Sequence, residues 1–501
     1  MELSVNAILE TIDDFFKESS TRTYRALVGL EPLPTRAALS ALLGDVTHAE
    51  TVAFVRELTA SARLDATKKS RVERLLALLL ELAARERLAT DDDAIAAHLA
   101  TRMPSLHGRE WTLAEALRDG WTVSSLEGRG EVAAERARAL SSAQARLQRR
   151  LDALAAAAPG LGCGSPRALV EAMQRREYAK AEPPAEALLE ASQDPARDLT
   201  GFVLKRVEPT LKVTTARTID LERALAAPWL YEVLRPEDLS HAVTRTLGDL
   251  GFHPNAFGRI LVDSEVTPGR TPGAHLLQVE VPDQLRLVLT AAPGFDGYAG
   301  WLGAWGQAQL LAATPRSLPF IDRSVGDPAL ALAVRRLFES LLLDEGWLKR
   351  ALRVTSAQSR ELARVFAWRQ LMALRDEAAL LPVSRELLER GAGRGLADAT
   401  GSAFERARFV QPEAGRGLLE LEPLTARLTS LDAWAFEALL ADVLRERFNE
   451  DWWRNPAAGR FLSNLAARGT ADDAAAVAAS LGRGTIELAD ASRRRVSVMG
   501  A

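Results

Sequence analysis

Side chains able to ligate a metal or attack a bond are scarce in this sequence. Its 501 residues include six histidines, His48, His98, His107, His241, His253 and His275, and one cysteine, Cys163. Metal-assisted hydrolysis of the HExxH kind needs two His four apart on one helical face, with the intervening Glu as general base. No two of the histidines stand four apart, and HExxH occurs nowhere in the chain. Each histidine therefore reads as a surface or hydrogen-bonded residue. A thiol nucleophile needs a positioned base. Cys163 sits in the turn GLGCGSP with no His near it in sequence, and it reads as structural. The phosphate loop GxxxxGK[ST] and the serine elbow GxSxG are both missing. Gly391–Gly395, GAGRG, follows a helical pattern and reads as a loop or helix stop. The run Asp91–Asp93 has ligand chemistry, but it follows Thr90 and precedes an apolar helix, where carboxylates favour a helix N-terminus. Asp472-Asp473 has the same explanation.

Among the elements that would position such chemistry, Gly294–Ala312, GFDGYAGWLGAWGQAQLLA, has the most specific pattern. Tyr298, Trp301, Leu302 and Trp305 fall at i, i+3, i+4 and i+7, one face of a helix. Gly294, Gly297, Gly300, Gly303 and Gly306 recur every third residue. Each glycine inside a helix costs about 1 kcal/mol relative to alanine. Such a helix needs close packing of a neighbouring backbone to persist. Upstream, Arg259–Val262, His275–Val281 and Gln284–Thr290 are rich in Val, Leu and Ile, with turns at Pro268-Gly269, Pro272-Gly273 and Pro282-Asp283. They predict a small sheet at 259–292. An edge strand of such a sheet can take up an extended peptide; the bland alternative is a covered structural hairpin.

The order of these segments continues through GDPALALAVRRLFESLLLDEGWLKRAL, 326–352, and RFNEDWWRNPAAGRFLSNLAARG, 447–469. It resembles the zinc oligopeptidases of the thimet oligopeptidase and oligoendopeptidase F type (gluzincin metallopeptidases), and more loosely the related thermostable zinc carboxypeptidases. In those families a Tyr-x-x-Leu-x-His-Glu-x-Gly-His-Ala helix follows two strands, and a later helix supplies a glutamate as third ligand. Tyr298 and Gly306 match. Gly303 stands at the first His position, Ala304 at the Glu position, Gln307 at the second His position and Leu332 about where the third ligand belongs. The resemblance implies a mainly α fold: a large helical metallopeptidase-like body with a central cleft and one small sheet near 259–292. It also implies degenerate zinc-site positions at 303, 304, 307 and 332. A catalytic zinc needs three protein ligands and one open site. Gly, Ala and Leu offer no lone pair, and Gln is a poor zinc ligand. No zinc, no other cofactor and no peptidase activity are therefore expected.

Composition fits a soluble globular protein, at 47% hydrophobic and 26% charged residues. A net charge of −4 points away from nucleic acid and anionic membrane as partners. The longest apolar run, Leu75–Leu80, is too short to cross a bilayer. A lone cysteine fits a reducing, cytoplasmic compartment. The segment MELSVNAILETIDDFF has no basic n-region, so no signal peptide is expected.

Most of the first 200 residues read as helices. Arg71–Arg87 places Val72, Leu75, Leu76, Leu79 and Ala83 on one face. The pattern Glu131–Ala158 stops at Pro159-Gly160, and Pro183-Pro184 reads as a connector. Near the end, Asn455-Pro456 is a helix start with Asn as N-cap, and Trp452-Trp453 reads as core. The chain thus divides into an N-terminal helical region 1–200, a metallopeptidase-like region 201–488 with the sheet, and a loose tail 489–501. Arg493–Arg495 falls in that solvated tail.

Three functional readings follow. One is a pseudoenzyme that kept its cleft and binds a peptide or protein partner, with Tyr298, Gln307 and Gln309 at the groove. Another is a structural helical scaffold whose cleft is filled, for example by Trp301 and Trp305. A hydrolase with a different site needs a convergent set of titratable residues, which the sequence does not show.

Overall fold

The computed structural model describes residues 4–500 apart from 107, 394 and 422–425. Helices hold 71% of the chain, and the described residues contain one three-stranded sheet, as the pattern predicts. Long helices build the N-terminal part. Ala66–Leu99 starts at Asp65, whose carboxylate accepts from the Lys68 N–H at 2.8 Å. Leu126–Gly160 starts at Ser125 in the same way and ends at Pro159-Gly160. On the first of these, Val72, Leu75, Leu79 and Ala83 are buried and Leu76 is half-buried. No described helix is long and apolar enough to cross a membrane.

The sheet consists of β1 (Ile260–Asp263), β2 (Ala274–Glu280) and β3 (Gln284–Leu289) in the order β1-β3-β2. β3 is central and carries the most apolar side chains, with Leu285, Leu287, Val288 and Leu289 buried. It pairs parallel with β1, Ile260 opposite Leu285, and antiparallel with β2, Leu276 opposite Leu287. The second pairing slips between Gln278 and Glu280. Below the sheet the helix Gly294–Ala312 packs against Ala329–Glu339, which packs in turn on Arg427–Phe448. The 35-residue helix Ser356–Arg390 runs through the middle. One buried cluster joins Leu75 and Leu79 to Leu374, Leu381, Trp434 and Leu488, so the core crosses the boundary expected near residue 200. Trp452 and Trp453 are core residues, and Asn455 caps the helix Pro456–Leu465.

Three local expectations are corrected. The tail is a helix, Leu488–Gly500, with Leu488, Ala491, Arg495 and Met499 buried on one face. Arg495 donates from Nη2 to Glu437 Oε2 at 2.6 Å, and Arg494 reaches the other oxygen of the same fully buried carboxylate. The basic run therefore supplies the charge that a buried glutamate requires. Pro183 and Pro184 lie inside the helix Tyr178–Ala191, whose buried face of Tyr178, Ala185, Leu188 and Leu189 outweighs the proline penalty. Asp91–Asp93 lies within Ala66–Leu99 rather than at its start. Asp93 instead accepts from the Arg36 and Ala37 N–H groups at 2.7 and 3.0 Å, capping a different helix, Arg36–Ser40. Asp473 does cap its own helix, Ala474–Ser480.

Candidate functional site

The glycines of Gly294–Ala312 are notches for neighbours. A Cβ at Gly297 would run into the Ala292 carbonyl, and one at Gly306 would overlap the Phe338 ring. One at Gly303 would lie 2.6 Å from Glu339 Oε1 and 2.8 Å from Arg335 Cγ. The helix Ala329–Glu339 therefore seats Arg335, Phe338 and Glu339 directly against the positions where the sequence pattern places a first His and its neighbours. Arg335 Nε donates to Glu339 Oε1 at 3.1 Å. Burial pushes the Glu339 carboxyl up, against the pull of Arg335 and Arg336.

The polar bets on this helix are tied into backbone. Tyr298 is fully buried, and its hydroxyl donates to the Arg235 carbonyl at 2.9 Å. Burial raises the pKa of that phenol. Gln309, also buried, donates from Nε2 to the His253 and Pro254 carbonyls at 3.0 and 3.1 Å. Gln307 is half-buried and Ala304 fully buried. Trp301 and Trp305 belong to the core, with Trp301 Nε1 donating to the Thr290 carbonyl at 3.1 Å. Leu332 lies three residues before Arg335 and faces elsewhere, onto the cleft described below.

Gly303, Ala304, Gln307 and Leu332, the positions that the resemblance assigns to zinc and its base, carry no His, Asp or Glu side chain. The space beside Gly303 is taken by the Arg335 stem and the Glu339 carboxylate, and Phe338 occupies the notch at Gly306. Among the described residues no three His, Cys, Asp or Glu side chains gather at metal-holding distance. His253 stacks on Phe257 with ring centroids 4.9 Å apart, and His275 Nε2 lies 3.0 Å from the Pro272 carbonyl. His98 contacts the Ala139 carbonyl, His48 faces Asp45, and His241 is exposed. His107 lies outside the described residues. Cys163 is half-buried beside Arg56, and burial pushes its thiol up, away from nucleophilic form.

An open cleft of about 1310 Å³ lies on the other side of these helices. Residues 276–281 of β2 and its following turn form one wall. β2 is an edge strand, hydrogen-bonded only to β3 within the sheet. At Gln278 its carbonyl accepts from Ser20 Oγ at 3.0 Å, a contact from the N-terminal helix Val5–Leu27. The opposite wall comes from the start of Arg427–Phe448, from Ser356–Arg390 and from the end of Pro166–Gln174. Of the six positions singled out in sequence, only Leu332 lines it; Tyr298, Gly303, Ala304, Gln307 and Gln309 do not.

The polar groups of this cleft escape sequence reasoning because they come from distant segments. Arg336 is buried, donates to the Ser430 carbonyl and hydroxyl, and stacks 4.0 Å from the Trp434 ring. Burial lowers its pKa. Arg176 bridges Asp327 at 2.7 Å and Asp432 at 2.5 Å. Gln174 Oε1 accepts from the Thr429 N–H at 3.1 Å. Trp434 Nε1 donates to Glu377 Oε1 at 3.3 Å, and Arg336 Nη2 lies 3.4 Å from the same oxygen.

The overall arrangement matches that of solved carboxypeptidases and other peptidases. No protein-family model and no curated protein sequence matches the chain. The M32 carboxypeptidase of Deinococcus radiodurans superposes with a TM-score of 0.61 at 13% identity, over 99% of this chain and 98% of that one. A carboxypeptidase of Pyrococcus furiosus gives 0.62 at 12% identity, over 98% of each chain. A protein assigned as an oligoendopeptidase F from Bacillus anthracis gives 0.65 at 12% identity, over 98% of this chain and 89% of that one. The chain thus has the zinc-peptidase-like fold of the M32 carboxypeptidases and oligoendopeptidase F-type peptidases.

Proposed function

We propose that this chain uses the peptidase fold to bind an extended peptide, or an extended loop of a protein partner, without cutting it. One contrast along the helix Ala329–Glu339 carries the reading. Its Arg335, Phe338 and Glu339 close on Gly303 and Gly306, where no zinc ligand stands. On another face of the same helix, Leu332 and Arg336, four residues apart, look onto a cleft beside the edge strand β2. Edge strands hold extended chains through backbone hydrogen bonds, largely independent of sequence. Hydrolysis needs a nucleophile and base in mutual reach. Two cations of this cleft are spent on structural partners: Arg176 on two aspartates, Arg336 on Ser430 and Glu377. The lone cysteine supports a reducing, cytoplasmic setting.

A scaffold without ligand is the second reading, favoured by the filled volume at Gly303 and by the Ser20 contact on the β2 edge. One experiment separates the two. The purified protein is mixed with randomised decapeptides, N-acetylated and C-amidated, passed through gel filtration, and the protein fraction is read by mass spectrometry. The binding reading expects intact peptides to co-elute. Chelator-sensitive fragments would contradict its non-cutting part, and peptide-free protein would leave the scaffold.

A further inference from the structure

Buried polar atoms without a partner on the wall opposite β2 include Gln174 Nε2, Glu377 Oε2 and Arg427 Nε. Gln174 is 5% exposed, lines the cleft, and its Nε2 donates to nothing. Glu377 also lines the cleft, and its Oε2 accepts from nothing. A buried polar group left without a hydrogen bond costs about 1–3 kcal/mol. Such groups are rare in folded proteins, and each calls for an explanation.

The Gln174 and Glu377 side chains are each locked at the Oε1 atom. The Thr429 N–H lies 3.1 Å from one atom of the Gln174 amide, and a backbone N–H can only donate. That atom is therefore the oxygen, and the NH₂ group must be the free end. The Thr429 hydroxyl lies 3.4 Å from the same oxygen. Glu377 is held through Oε1 by Trp434 Nε1 and Arg336 Nη2. Arg336 in turn bonds Ser430, the residue after Thr429. Thr429 thus fixes the free donor directly, and Ser430 anchors the Arg336 that holds the free acceptor, both in the first turn of one helix, Arg427–Phe448. That helix begins at Ala426 with no side-chain cap.

A free donor and a free acceptor on one wall complement a chain that offers one carbonyl and one N–H per residue. We propose that Gln174 and Glu377 read the main chain of the bound peptide, Gln174 Nε2 donating to a ligand carbonyl and Glu377 Oε2 accepting from a ligand N–H. The ligand is then gripped from both sides, by the β2 backbone on one wall and by this pair on the other. The preferred ligand is a linear segment with an unsubstituted N–H at the clamped residue, whatever its side chain. This inference rests on the peptide-binding reading above.

The test uses the full chain and one decapeptide recovered from the randomised, end-blocked pool, resynthesised with a fluorescein label. Gln174→Glu keeps an oxygen for Thr429 but turns the free donor into an acceptor. Glu377→Gln keeps an oxygen for Trp434 and Arg336 but turns the free acceptor into a donor. Each change should weaken binding by about tenfold, the scale of a lost and then repelled hydrogen bond. A second arm needs no variant to fold well. N-methylating the ligand nitrogens one at a time should find one position that weakens binding to the native protein by about tenfold and has no further effect on Glu377→Gln. Native protein that binds peptide, with both variants and every N-methyl analogue unchanged, would overturn the clamp and leave the cleft reading standing. Native protein that binds no peptide would overturn both.

Discussion

Gly306 lies so close to the Phe338 ring that a methyl group at position 306 would overlap it. The two helices approach here at a distance only glycine permits. Gly306→Ala therefore combines overpacking of about 1–3 kcal/mol with a helix-propensity gain of about 1 kcal/mol. A net loss of stability is expected. Gly300 is the contrast, since its Cβ would meet only the Ala274 methyl at 3.3 Å. Gly300→Ala should be close to neutral. Urea denaturation of the two variants, compared at equal slope, checks the difference.

Glu437 predicts an acid limb. Its burial opposes ionisation, but Arg494 and Arg495 prevail and hold the carboxyl below its ordinary value of 4.5. A depressed folded pKa gives stability that is complete above the unfolded value and lost as pH falls through the folded one. Stability should therefore decline from about pH 5 downward. Glu437→Gln removes the charge facing the buried Arg495 and the largely covered Arg494 and should cost about 3–5 kcal/mol. The same variant should flatten the acid limb in melts recorded across that range.

The C-terminal helix shows where the sequence was legible and where it was not. Its apolar spacing at Leu488, Ala491 and Met499 was present, but Arg493–Arg495 hid it, because a basic run normally marks solvent. Only the three-dimensional position of Glu437, 58 residues earlier in the chain, makes Arg495 a core residue. The sheet was plain because strands of Val, Leu and Ile between proline turns are a local signal, and β3 indeed buries that pattern. The notched helix was legible for the same reason. What its glycines admit was not: Phe338 and Glu339 could not be aligned to Gly306 and Gly303 from spacing alone. Tyr298 and Gln309 looked like groove residues because Tyr298 matches the family pattern and Gln309 lies beside a former zinc-site position, yet their partners are backbone carbonyls at 235, 253 and 254. Gln174, Arg336, Glu377 and Thr429 share no motif, so nothing in the sequence could assemble them.

Tyr298→Phe should lower stability by about 1 kcal/mol, the usual value of one buried hydrogen bond. Peptide binding should not change, because Tyr298 lies off the cleft. Titrating the same labelled peptide into both proteins, alongside their urea curves, checks the pair of expectations.

The native protein should carry no stoichiometric zinc. Restoring Gly303→His, Ala304→Glu and Gln307→His should not create a zinc site either. An imidazole at 303 would collide with Arg335 and Glu339, so the graft should lower stability by overpacking, about 1–3 kcal/mol or more. Adding Leu332→Glu should not help, since that residue faces the cleft one turn before Arg335. Metal analysis after dialysis against zinc is the check. One retained zinc per chain, in either protein, would show that the helices can part.

The central claim is that the cleft holds an uncut peptide along β2. Hydrogen–deuterium exchange of the full chain, with and without a saturating recovered decapeptide, tests it most directly. The account predicts that amides within Ala274–Glu280 slow by about tenfold or more as the strand gains a partner, while the peptide stays intact with or without chelator. Unchanged exchange throughout that strand at saturation, or cleavage that a chelator abolishes, would contradict it.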